Sequence, residues 1–250
     1  MAIARIHGPT KSIVKITAPS TGNVASVDIQ VKDKAGKSVS SFDLIHTKKM
    51  HLIGIDLDKL TMKFHEHPVE GTDGTFHAKV PLTGHVAIFD EYDPKGALKQ
   101  TIDRSEFGTA SAGGGQVAWD FATRTKTVDG LTFKLTGATL MSGMAMPLTV
   151  QVTDRAGHAV TPADWLAAKG HAFAARQGAP ELYHFHPNDS SMHMPAMGGM
   201  PGMGGHTTAK PGEISFHAQV NKPGNYRVFV QVMKPGASTP TTVSFDLKAT

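Results

Sequence analysis

From Ser26 to Val31 polar and apolar residues alternate, the period of a strand with one buried face. Asp33-Lys34-Ala35-Gly36 follows as a turn. Met50 to Ile55 predicts a second strand, and Met62 to His67, stopped by Pro68, a third. Asp73-Gly74 is a hairpin turn into Thr75 to Val80, and Leu82-Thr83-Gly84 turns into Val86 to Tyr92. Short strands at this spacing, with turn chemistry between them, predict a β-sandwich. Pro162-Ala163-Asp164-Trp165-Leu166-Ala167-Ala168 departs from the pattern and predicts one or two helical turns ending at Gly170.

The strand pattern occurs twice. Val31-Lys32-Asp33-Lys34-Ala35-Gly36-Lys37-Ser38-Val39 aligns with Val152-Thr153-Asp154-Arg155-Ala156-Gly157-His158-Ala159-Val160. Thr75-Phe76-His77-Ala78 aligns with Ser215-Phe216-His217-Ala218, and Gly84-His85-Val86-Ala87-Ile88-Phe89 with Gly224-Asn225-Tyr226-Arg227-Val228-Phe229. The offset grows from about 120 to about 140 residues, so the second copy carries an insertion of about 20. The expected architecture is all-β: two tandem immunoglobulin-like β-sandwich repeats, 1–107 and 129–250, joined by a Gly-rich linker, 108–128. The insertion occupies 189–209. Within the linker, Trp119 and Phe121 are expected to pack back onto a domain.

Composition narrows the function. Hydrophobic residues make up 40% and charged residues 18%, the balance of a globular chain. A net charge of +4, scattered rather than clustered, argues against nucleic acid. No stretch approaches the roughly 18 apolar residues of a membrane helix. The absence of cysteine excludes disulfides, thiolate-bound zinc, iron–sulfur clusters and blue copper. Met1 to Thr10 lacks the apolar region of a signal peptide.

What stands out is 14 His and 12 Met in 250 residues. Phe64-His65-Glu66-His67-Pro68 returns as Tyr183-His184-Phe185-His186-Pro187. In a strand, residues i and i+2 share a face, so each His-x-His pair points one way. His51 and His171 open the preceding strands, and an antiparallel partner would bring each beside its pair. The candidate metal ligands are therefore His51, His65 and His67 in one repeat, and His171, His184 and His186 in the other. Such nitrogen donors suit Cu(II), Zn(II) or Ni(II). The equivalent His77 and His217 are additional ligand candidates. A second reading stays open, in which the imidazoles form a hydrogen-bonded polar cluster without metal.

The insertion carries softer donors. Met192-His193-Met194-Pro195-Ala196-Met197, followed by Met200, Met203 and His206, is interleaved with Gly. Neutral, polarizable thioethers prefer Cu(I). A low-complexity loop without a ligand is the alternative. Met141, Met144 and Met146 form a weaker cluster at the head of a strand, for which core packing is expected at least as strongly.

At Met50-His51-Leu52-Ile53, His65-x-His67-Pro68 and Gly74-Thr75-Phe76, and again at Asp154-Arg155-Ala156-Gly157, Gly170-His171 and His184-Phe185-His186-Pro187, the chain resembles extracytoplasmic bacterial modules linked to heavy-metal handling. That group overlaps with YtkA-like domains, small immunoglobulin-like sandwiches. The Met tract resembles those of periplasmic copper-resistance and copper-carrier proteins. The resemblance implies export, with a signal peptide or anchor missing from this chain, and a periplasmic or secreted location. The expected function is copper storage, buffering or delivery, with copper as Cu(I) or Cu(II), or zinc, as the ion. Another envelope copper protein is the expected partner. The alternative is a structural or interaction protein without metal. An enzyme is not expected: no general base pairs with the imidazoles, and Glu66 has Phe185 as its counterpart.

Overall fold

The computed structural model describes residues 10–17, 22–45, 47–97, 100–111, 117–166, 168–176, 181–185, 187 and 210–250. Among these it contains strands and turns but no helix. The chain folds as two units, Met1–Val117 and Ala118–Thr250. Each is an immunoglobulin-like β-sandwich.

In the first unit the strands are β1 Lys11–Thr17, β2 Val24–Lys32, β3 Phe42–Asp43, β4 Met50–Asp56, β5 Thr61–Glu66, β6 Val69–Glu70, β7 Phe76–Pro81, β8 Val86–Pro94 and β9 Thr101–Phe107. One sheet has the order β1-β2-β7-β6, and the other runs β5-β4-β8, with β9 along the far edge of β8 and β3 at its end. This is the ABED and C′CFG arrangement of immunoglobulin-type sandwiches. In the second unit the strands are β10 Thr125–Val128, β11 Leu131–Ala138, β12 Ala145–Thr153, β13 His171–Arg176, β14 Leu182–Phe185, β15 Glu213–Gln219, β16 Gly224–Val232 and β17 Thr241–Ala249. Its sheets are β10-β11-β12-β15 and β14-β13-β16-β17. The long strands of the two repeats thus correspond one to one. The second adds β10, and has the single bridges Ala163–Met233 and Pro187–Phe216 where the first has β3 and β6.

The repeated turns are built alike. Asp33 Oδ1 accepts from the backbone N–H of Ala35 and Lys37, and Asp154 Oδ1 from Ala156 and His158, all at 2.8–2.9 Å. The following turn residue is Gly36 in one and Gly157 in the other, both at positive φ, a conformation that glycine adopts without strain.

Each sandwich has its own core. In the first, Val27, Ile29, Met50, Leu52, Phe64, Phe76, Ile88 and Tyr92 meet between the sheets. In the second, Phe133, Val150, Ala172, Ala174, Phe185, Phe216, Val228, Val230 and Phe245 do so. The even-numbered residues of β4 therefore face the core, and by strand alternation His51, Ile53 and Ile55 lie on the outer face. The same parity puts His171 and Phe173 on the outer face of β13. Leu182 lies on the same outer face of β14 as His184.

Two sequence expectations change. Residues 162–166 and 168 do not form a helix: Ala163 bridges Met233, and Trp165 pairs with Ala168 around Leu166 at φ 57°. The first repeat makes the same bend, with Ile45 paired to Lys48 around Thr47 at φ 69°. The hydrogen bonds of this bend outweigh the helical propensity of its alanines. The linker is also shorter than 108–128. Ala118–Val128 belongs to the second unit, where the Ala118 carbonyl accepts from Arg227 at 2.8 Å and Asp120 N–H donates to Asp246 at 2.8 Å. As expected, Trp119 packs back, 5.4 Å from the Arg227 guanidinium; Phe121 stacks on Trp119 at 5.7 Å but stays exposed.

Candidate metal centre

The antiparallel ladder that builds the first sandwich also builds the site. β4 pairs with β5 so that Leu52 faces Glu66 and Ile53 faces His65. One step further along, His51 comes opposite His67, and the rings of these two lie 4.5 Å apart, edge to face. His65 reaches the same ring from the diagonal position, with centroids 5.5 Å apart. Gly54 makes room upstream. A Cβ there would sit 2.2 Å from the Phe64 ring, so only glycine lets Phe64 fold across β4 and leave His65 on the outer face.

The nitrogens converge. His51 Nε2 is 2.9 Å from the Ile45 carbonyl oxygen, which can only accept, so Nε2 carries the proton and Nδ1 presents a lone pair. His51 Nδ1 lies 3.2 Å from His65 Nε2 and 3.0 Å from His67 Nε2. One lone pair serves one N–H fully; a cation would serve all three nitrogens. With metal–nitrogen bonds of about 2.0–2.1 Å, ligand nitrogens lie about 2.9 Å apart at a right angle and about 3.3–3.4 Å apart in a tetrahedron. The observed separations fall in this interval, and the ligand atoms of His51, His65 and His67 all lie within 4.8 Å of one another. His51 and His65 are buried, and His67 is partly so. Burial lowers the pKa of His51, partly offset by its bond to Ile45 and the charge of Glu91, with Lys48 lowering it further. The imidazole thus stays neutral, the form that binds metal.

The second repeat copies this geometry. His171 Nε2 donates to the Trp165 carbonyl at 3.2 Å, and His171 Nδ1 lies 3.3 Å from His184 Nε2. The Trp165 ring meets His171 edge-on at 5.2 Å, and Phe173 stacks on His184 at 4.3 Å. His186 lies outside the described residues, as do Met192, His193, Met194, Met197, Met200, Met203 and His206.

His77 and His217 are not part of either cluster. They sit on β7 and β15, in the opposite sheet of each sandwich, and are exposed. His77 Nδ1 instead pairs with Asp28 at 2.8 Å. Met141 and Met144 are 37% and 53% exposed, so they do not pack in the core; they flank the turn at Gly143. Glu66 lies on the face of β5 opposite to the imidazoles, as strand alternation requires.

Sequence reasoning missed two groups. One is the backbone carbonyl of Ile45 and Trp165, which sets the tautomer of the first histidine in each site. The other is Glu91, which stands directly across from His51 on β8 and is buried. A carboxylate inside the apolar run of β8 was a signal that could have marked it.

A family model described as "Domain of unknown function (DUF8832)" matches residues 7–103 and 126–250. A search of curated proteins finds no match. Among solved structures the chain is similar to one titled "Crystal structure of invasin: a bacterial integrin-binding protein", at 14% identity and a TM-score of 0.26. That match covers 97% of this chain, which spans 40% of the invasin chain.

Proposed function

We propose, for a chain that belongs to the family of the domain of unknown function DUF8832, that each repeat binds a transition-metal ion on its imidazoles and that the ion is copper. The observation that carries this reading is the convergence of His51 Nδ1 with the Nε2 atoms of His65 and His67 at 3.2 and 3.0 Å. Neutral imidazoles suit Cu(II) and Zn(II) alike, and the Met tract in the sequence of the second repeat tips the choice towards copper. A periplasmic or secreted protein that stores, buffers or passes on copper fits this donor set, and another envelope copper protein would be its exchange partner.

Titration of the metal-free protein with Cu(II), and with Cu(I) under anaerobic conditions, tests the proposal. Trp165 beside His171 provides a local signal, because bound Cu(II) quenches a neighbouring indole. The expected result is binding tighter than micromolar, with quenching that disappears in Trp165→Phe while Trp119 emission persists. Ions held at 100 times their dissociation constant would stabilise the fold by about 2.7 kcal/mol.

A second reading has its own support. The His51–Ile45 and His51–His65 contacts already form a hydrogen-bonded chain, so the cluster could be a polar latch in an interaction module without metal. Melting temperatures unmoved by Cu(I), Cu(II) or Zn(II) would favour that reading.

A further inference from the structure

We infer that Glu91 sets the charge class of ion the first site accepts, favouring divalent cations, whereas the second repeat has Gln231 at the same place and supplies no charge of its own there. This inference rests on the imidazole reading above. The ladder pairs His51 with Glu91 between β4 and β8, and it pairs His171 with Gln231 between β13 and β16. Cross-strand partners share a face, so both side chains belong to the imidazole side of their sheets. Both are buried, at 2% and 4% exposure. Glutamate and glutamine have nearly the same shape; what differs between the repeats is one negative charge.

That charge is felt at the site. A nitrogen of His51 and a carboxylate oxygen of Glu91 lie within 4.8 Å. Gln100 Nε2 donates to Glu91 Oε1 and holds the carboxylate in place. In the second repeat, Gln231 Nε2 donates to Thr242 Oγ1 at 3.0 Å, so the amide is also held in place but brings no charge. Three neutral imidazoles leave the full charge of an ion uncompensated in a buried site. A buried carboxylate offsets it, and the attraction is twice as large for a divalent ion as for a monovalent one. Glu91 is therefore a specificity-determining residue, acting as a ligand or through its charge on the bound ion.

The charge-swap variants Glu91→Gln and Gln231→Glu test this in the full chain. Site one is measured alone in a His171→Ala, His184→Ala background, and site two in a His51→Ala, His65→Ala background. Zn(II) and Ag(I) serve as divalent and monovalent probes, with affinities read by chelator competition. Glu91→Gln is expected to weaken Zn(II) at site one by at least tenfold and Ag(I) by less than threefold. Gln231→Glu is expected to strengthen Zn(II) at site two by at least tenfold. A Zn(II) change below fivefold in Glu91→Gln, or an equal loss of both ions, overturns the inference alone. If circular dichroism shows Glu91→Gln unfolded, the Gln231→Glu arm decides by the same fivefold threshold. Should the parent chain bind neither ion, the imidazole reading falls and the inference falls with it.

Discussion

The two sandwiches are the same fold carrying different buried charges, and the difference separates what the fold needs from what was added to it. In the second repeat, Val230 on β16 faces Val243 on β17, and both are core residues. The equivalent pair in the first repeat is Asp90 on β8 facing Asp103 on β9. Asp90 is fully buried, and neither carboxylate oxygen has a hydrogen bond among the described residues. Asp103 is anchored by the Tyr92 hydroxyl at 2.7 Å and by the Ser12 N–H at 2.5 Å. Since a valine pair closes the same sandwich elsewhere in the chain, Asp90 is not required by the architecture and weakens it. The imidazole clusters show the converse. There the repeats agree down to the carbonyl that receives the first histidine's N–H.

The largest expected effect probes the acid pair. Burial above all, reinforced by the like charge of Asp103 and opposed by the nearby Ser12 side chain, pushes the Asp90 pKa up from 3.8 to about 7. A raised folded-state value means the native chain holds a proton that the unfolded chain gives up. Stability is therefore full below about pH 4 and is lost as pH rises through 7. The span corresponds to roughly 4 kcal/mol. Asp90→Val should remove that slope and stabilise the first sandwich at pH 8, as denaturant unfolding at pH 5 and pH 8 would show. A parent protein equally stable at both values would contradict the comparison.

Next come the ligands. His51→Ala and His171→Ala should each weaken Cu(II) binding at their own site by at least about 100-fold, beyond the 10- to 100-fold that outer partners of a metal site contribute. Affinity unchanged by either substitution would break the comparison. Calorimetric titration distinguishes these outcomes.

A smaller effect concerns backbone room. Gly54→Ala drives a methyl group into the Phe64 ring and should cost about 1–3 kcal/mol, read from the denaturation midpoint. At the position equivalent to Gly54, the second repeat carries Ala174, opposite Tyr183. Ala174→Gly is accordingly expected to be milder, at about 1 kcal/mol or less. Mildest of all is the pH effect at His51. Its lowered pKa contributes stability that is whole above 6.5 and declines as the pH falls below that value. The decline should be absent in His51→Gln, which unfolding measured between pH 5 and pH 7 would show.

Much of the site was legible before the structure. The i, i+2 spacing of His65 and His67 placed both on one face, and the position of His51 at the start of the preceding strand led to an antiparallel meeting that β4 and β5 realise. The pairing of Glu91 with His51 was not legible, because it joins strands distant in sequence. The bend at Trp165 was misread as helix because its alanines carry local propensity, while the Ala163 bond to Met233 and the Trp165–Ala168 pairing are decided by the sheet they join.

By itself the sequence determined that this protein is a duplicated β-sandwich with paired imidazoles in each copy. Strand periodicity, turn residues and repetition are local properties, and they survive in one dimension. Only the tertiary structure decided that His51, His65, His67, His171 and His184 lie on the outer faces rather than in the cores. It also decided that Glu91 and Gln231 stand opposite the first histidine of each set, and that Asp90 meets Asp103 where the other copy has valines. A period of two says which residues share a face; which face meets the other sheet, and which distant strand lies alongside, follows from how the sheets close on their cores.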